Sequence, residues 1–141
     1  HFARYLVEIN RARDVKAVFQ RFLARGKPGY VPHQWAPIEE AVGWITQSGG
    51  VATLAHPGRY ALSLNEMETL LSEFRDAGGR GIEVITGNHS PDQAIRFTRL
   101  AIKYGLAASR GADYHGPGES RVEPGRLPAL PPRLQPVWDL L

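Results

Sequence analysis

There is no cysteine among the 141 residues. Disulfides and thiolate metal sites are therefore excluded, and any metal must be held by His, Asp or Glu. The lack of disulfides fits a reducing compartment, and the expected location is the cytoplasm. No apolar run approaches the roughly 20 residues of a membrane span, so no membrane partner is expected. No positively charged start leads into an apolar stretch, the pattern of a secretory signal. A Gly-rich phosphate loop is missing too: "GPGES" at 116–120 lacks the Lys-Ser/Thr ending that such a loop needs. No serine has His and Asp at recognisable triad positions, which argues against nucleophilic serine chemistry. The basic excess is small, 17 Lys and Arg against 14 Asp and Glu, and it is spread along helices. That describes a solvated surface better than a dedicated nucleic-acid patch, and it would suit a phosphorylated substrate.

What is present suffices for one ordinary domain with a real core, since 43% of the chain is hydrophobic. The sequence starts at His1 rather than Met, already in a helical pattern, which reads as a processed chain or a piece of a longer protein. "FARYLVEI" puts Phe2, Tyr5, Leu6 and Ile9 on one helical face. A second helix is expected from Asp14, its cap, to about Leu23. "RGKPGYVPHQWAP" then breaks the rhythm and marks a boundary between residues 1–34 and 35–141.

Beyond it the pattern is α-β-α-β-α-β. "PIEEAVGWITQSGG", "LNEMETLLSEFRDAGG" with Asn65 as cap, and "SPDQAIRFTRLAIKYG" with Ser90 as cap read as helices. "VATLAH", "GIEVIT" and "LAAS" read as strands. Such alternation predicts an α/β fold of three parallel βα units with right-handed crossovers, preceded by two helices. After Gly116 the proline-rich chain should be mostly irregular, ending in the apolar "VWDLL". Three strands alone would leave two open edges.

Each strand runs straight into polar residues: His56-Pro57-Gly58-Arg59, Gly87-Asn88-His89, and "SRGADYHGPGES". In parallel sheets and barrels these C-terminal ends share the face on which sites are built. His56 alone could be a loop histidine bonded to a carbonyl. Asp113 and His115, two apart in an extended segment, would point the same way and could share a metal. A D-x-H pair alone is a weak signal, and Asp113 could instead cap a turn. Together with His56 and His89 on one face, the metal reading is the better one. Glu83, between Ile82 and Val84, faces a possible barrel interior, paired either with a metal or with a basic side chain. Arg59 could fork onto a phosphate. Lys27 and His1 are weaker candidates, and His33 and Trp35 read as loop and packing residues.

"LAHPGRY", "GIEVITGNH" and "GADYHGPGES", in that order, resemble the polymerase and histidinol phosphatase (PHP) superfamily. They are most similar to its bacterial branch of metal-dependent phosphoesterases acting on nucleotides and RNA 5' ends. "HFARYLVE", "GKPGYVPHQW" and "PVW" extend the resemblance over nearly the whole chain. It implies a distorted (β/α)7 barrel holding divalent ions, manganese first and zinc or iron as alternatives. The family's late ligands match His56, Asp113 and His115, with Ala-Asp-Tyr-His standing where the family usually has Ser-Asp-Phe-His. The implied mechanism is metal-assisted phosphoester hydrolysis of a phosphorylated nucleotide or short RNA. Arg59, His89 and His1 would contact substrate phosphate.

The family's opening H-x-H motif does not occur in this sequence. The resemblance is therefore to the C-terminal half of the barrel, with residues 1–34 as the tail of a helical insertion. The N-terminal half is the implied partner, and this half alone should hydrolyse little. The alternatives are a non-catalytic PHP-like binding or structural module and, third, a basic RNA-binding domain.

Overall fold

The computed structural model describes residues 1–117 and 121–141, so the last three residues of "GPGES", Gly118, Glu119 and Ser120, lie outside the described residues. The chain divides into two compact units, His1–Trp35 and Ala36–Leu141.

In the first unit, helix α1 spans Phe2–Glu8 and α2 spans Val15–Val18, which runs on as a π-helical turn, Phe19–Leu23. Asp14 caps α2, its carboxylate accepting from the Ala17 amide at 2.7 Å. The expected α1 stripe is not the buried one. Phe2, Tyr5 and Ile9 are exposed. The small core instead gathers Ala3, Ala12 and Val18, with Leu6, Val7 and Phe22 packed beside them. Trp35 is not a packing residue of this unit: it is exposed and meets the His33 ring edge-on at 4.4 Å.

The second unit alternates helix and strand: α3 (Ile38–Gln47), β1 (Thr53–Leu54), α4 (Leu64–Asp76), β2 (Gly81–Thr86), α5 (Pro91–Tyr104) and β3 (Ala107–Gly111). The strands are parallel in the order β1-β2-β3. Helix–strand alternation forces this pairing, because each strand must cross over a helix before rejoining the sheet. Ile82 and Val84 of β2 are fully buried in a core with Met67, Leu71 and Phe74 of α4 and Phe97, Leu100 and Ala101 of α5.

Capping sets both long helices. Ser90 and Gln93 form a reciprocal capping box with Pro91 in the first turn. In α4 the cap is Ser63, closing a box with Glu66, rather than Asn65. The box satisfies two orphan amides, whereas a cap at Asn65 would forfeit the first turn.

β1 is only two residues long, shorter than "VATLAH", because Pro57 ends its capacity to donate and His56 turns left-handed (φ 32°, ψ 54°). The edge of β3 is not open as three isolated strands would leave it. The Ala108 amide donates to the Gln135 carbonyl at 2.8 Å, and Ala108 forms a parallel bridge with Pro136. The C-terminal segment thus lies along β3, buries Leu134, and finishes in a 3-10 turn, Val137–Leu140.

Candidate metal centre

The C-terminal ends of the three strands bring three polar loops together. β1 delivers His56 and the short 3-10 turn Pro57–Arg59. β2 delivers Asn88 and His89, and β3 delivers Asp113 and His115. Asp113 sits at the middle of the cluster with its side chain 15% exposed. One carboxylate oxygen, Oδ2, accepts from Arg59 Nη1 at 2.9 Å and from Asn88 Nδ2 at 2.7 Å. The other, Oδ1, lies 3.3 Å from His115 Nε2. Side chains from all three loops therefore converge on one carboxylate.

Asp113 and His115 meet by another route than an extended segment. Asp113 is left-handed, at φ 49°, and residues 112–115 carry no strand. Left-handed backbone is uncommon for residues other than glycine, and held strain of this kind concentrates at functional sites. Among the described residues Asn10, in the other unit, is the third of this kind with His56, and Asn adopts this backbone most easily.

Glu83 lies beneath the cluster. Its Oε2 accepts from the His56 amide at 2.6 Å. Its partner among the described residues is thus a backbone amide rather than a basic side chain. Gly111, on β3, makes room for it: a β-carbon there would stand 2.6 Å from Glu83 Oε1. The close approach follows from a register shift between Glu83 and Ile85, after which Ile85 pairs with Arg110 and Thr86 with Gly111. Burial raises the Glu83 pKa, opposed by the His56 amide bond and the His56 charge, and Asp113 adds to the rise.

His56 has a buried ring nitrogen, Nδ1, without a hydrogen-bond partner among the described residues. Its ring meets Tyr60 edge-on at 6.1 Å. Tyr60 in turn donates from its hydroxyl to the Ala55 carbonyl at 2.7 Å. Burial, then the Glu83 charge, raises the Tyr60 pKa.

His89, which the resemblance places at the substrate phosphate, is bonded to backbone through both ring nitrogens. Nδ1 lies 3.0 Å from the Val84 carbonyl, which only an N–H can satisfy, and Nε2 accepts from the Gly58 amide at 3.0 Å. Both ring nitrogens are thereby committed to backbone, in one neutral tautomer, and the ring stacks on Phe97 at 4.9 Å. Burial lowers its pKa, opposed by the bond to the Val84 carbonyl, and so favours the neutral ring. Gln93 braces the same turn, donating to the Gly58 carbonyl at 3.0 Å. His89 is a buttress that fixes the loop carrying His56 and Arg59. His1 belongs to the first unit, at the N-cap position of α1, where its side chain makes no capping bond.

His56, Asp113 and Arg59 stand out in the sequence by residue type at strand ends. Asn88 and Tyr60 do not, although Asn88 also occupies a strand end, because an amide and a phenol beside a histidine carry no motif signal. The donor set is of the chemical type that a divalent-cation site takes: an orphan imidazole nitrogen, a carboxylate and an adjoining histidine. It does not complete one, since among the described residues no three His, Asp or Glu side chains converge closely enough to hold an ion.

No family model matches the chain. It is 49% identical over 138 residues to a 3',5'-nucleoside bisphosphate phosphatase from Chromobacterium violaceum, covering 98% of this chain and 48% of that protein. It is 44% identical over 140 residues to the 5'-3' exoribonuclease Rnm of Escherichia coli, covering 99% of this chain and 47% of the relative. Among solved structures, an amidohydrolase from C. violaceum with bound sulfate and no metal superposes with a TM-score of 0.87 at 48% identity, over 99% of this chain and 48% of that one. A metal-dependent phosphoesterase from Bifidobacterium adolescentis, at 24% identity and a TM-score of 0.69, shares the fold over 95% of this chain and 45% of its own. The chain spans about half the length of the curated relatives it matches.

Proposed function

We propose that this chain is the C-terminal half of a metal-dependent phosphoesterase of the PHP superfamily, acting on phosphorylated nucleotides or short RNA. One observation carries the reading: three strand-end loops converge on Asp113 through Arg59, Asn88 and His115. The names of the similar proteins, a nucleotide phosphatase and an exoribonuclease, support it. In this reading Asp113, His115 and His56 hold one edge of a divalent-metal cluster, manganese first and zinc or iron as alternatives. Residues 1–34 are the tail of a helical insertion, and the remaining ligands come from the other half of the barrel. The absence of cysteine supports a cytoplasmic location.

A divalent cation held there would supply Lewis acidity toward the phosphoryl group. The chain's own residues do the rest. Arg59, now paired with Asp113, is a planar donor fork that can exchange the carboxylate for a substrate phosphate. Asn88 holds the Asp113 carboxylate in one orientation. Glu83 anchors the His56 amide and so fixes the left-handed turn that aims its ring. His89 positions the Gly58–Arg59 turn from below. His1 as a substrate contact keeps the support of the resemblance alone.

The test is release of phosphate from a 3',5'-nucleoside bisphosphate with manganese. In the whole enzyme, Asp113→Asn should reduce turnover by more than the roughly 10- to 100-fold typical of an outer-shell partner. The chain by itself should show little turnover, recovered on adding the N-terminal half. Full activity of Asp113→Asn would overturn the assignment. A non-catalytic binding module is the second reading, favoured by the incomplete donor set among the described residues. Background-level turnover by the whole protein would establish it.

A further inference from the structure

Beside the cluster lies a cavity of about 440 Å³ that the metal chemistry does not use. Its floor is the end of β2, Ile85 and Thr86; α5 contributes Ala94 and Ile95, and residues 122–128 close it with Val122 and Leu127. Gly87 and His89 line it as well, so it abuts the loop that carries Asn88 to Asp113. Its size falls within the range of small-molecule sites, and apolar walls with few polar groups are what such sites present.

One polar group is out of place there. Thr86 is 5% exposed, and its hydroxyl has no hydrogen-bond partner among the described residues. A buried hydroxyl is nearly always bonded, and one left alone calls for a reason. A Thr Oγ1 can both donate and accept, so it suits a ligand edge carrying either polarity. At the rim Arg126 offers a planar guanidinium that can stack on a flat ring. A flat, largely apolar group with polar edges, attached to a phosphate that reaches Arg59, satisfies all of these features.

We propose that this cavity receives the nucleobase of the substrate, with Thr86 Oγ1 as its hydrogen-bond partner. The inference rests on the phosphoesterase reading of the neighbouring cluster and adds to it a base-recognition pocket. The base enters between α5 and the 122–128 segment while its phosphate lies toward Asp113 and Arg59.

The test is calorimetric binding of adenosine 5'-monophosphate and of ribose 5-phosphate to the intact protein, with Thr86→Val and Val122→Trp beside it. The wild type should bind the nucleotide more tightly than the base-free sugar phosphate. Thr86→Val should weaken nucleotide binding by about tenfold and leave ribose 5-phosphate unchanged. Its melting temperature should hold or rise, because an unpaired buried hydroxyl gives way to an apolar isostere. Val122→Trp, which fills the cavity from the loop side, should erase the preference for the nucleotide. Equal affinity of the wild type for both ligands overturns the base pocket and leaves the phosphate site standing. Equal weakening of both by Thr86→Val, or a marked drop in its melting temperature, does the same. Binding of neither ligand by the wild type overturns the phosphate site and the pocket together.

Discussion

Replacing Gly111 by alanine places a methyl group 2.6 Å from Glu83 Oε1, well inside contact distance. The backbone itself tolerates the change, because Gly111 is not among the glycines with positive φ. The cost therefore comes from Glu83, whose carboxylate must move. Moving it breaks the 2.6 Å bond from the His56 amide. A hydrogen bond to a charged acceptor contributes about 1.5–3 kcal/mol, and overpacking in a tight site costs about 1–3 kcal/mol. These are two descriptions of one displacement and do not add. Gly111→Ala should thus lower stability by about 2 kcal/mol. In a Glu83→Ala background the obstacle is gone, and alanine in a strand gains about 0.5–1 kcal/mol over glycine. The two substitutions should therefore couple by about 2 to 3 kcal/mol in a double-mutant cycle read by urea unfolding. Additive effects would refute the account of Gly111 as the cradle of Glu83, and with it the link from β3 to the His56 turn.

The same reasoning applies on the other side of the cluster. A β-carbon at Gly58 would lie 2.6 Å from the His89 ring and 2.8 Å from Gln93 Nε2, so Gly58→Ala should destabilise the protein by about 1–3 kcal/mol. It should also free the His89 ring nitrogens, visible in its NMR shifts; an unchanged His89 signal would contradict this. Acidification tests the same buttress. The folded His89 pKa is lowered by burial, so the unfolded chain takes up the proton first as pH falls below the ordinary histidine value of 6.5. The stability it contributes is present above that value and is lost as pH falls through the folded pKa. His89→Gln should flatten this part of the pH–stability curve, and an unchanged slope would count against it.

Much of the second unit is legible in the sequence, and the reasons are local. Ser90, Pro91 and Gln93 announce the start of α5, and paired glycines with Ile and Val delimit β2 to the residue. Ser63-x-x-Glu66 carries the same kind of signal for α4, one that outweighs Asn65 as a cap. What escapes sequence reading depends on pairing across the sheet. The shift between Glu83 and Ile85 sets Glu83 above Gly111, and no periodicity encodes that register. The left-handed Asp113 is equally silent, and its carboxylate is met by Arg59 and Asn88 from distant loops. The bonds of His89 are silent as well: its two nitrogens meet the backbone of Val84 and Gly58, which no motif in the sequence announces. In α1 the large side chains drew the predicted stripe, yet Ala3 is the residue buried there.

The proposed function needs His56, Asp113 and His115 as one edge of a divalent-metal site. Titrating the protein with manganese while following the histidine ring signals by NMR checks this. Paramagnetic broadening should reach His56 and His115 before His33, and it should weaken markedly in Asp113→Asn. Broadening that is equal at all histidines, or indifferent to Asp113, would contradict it.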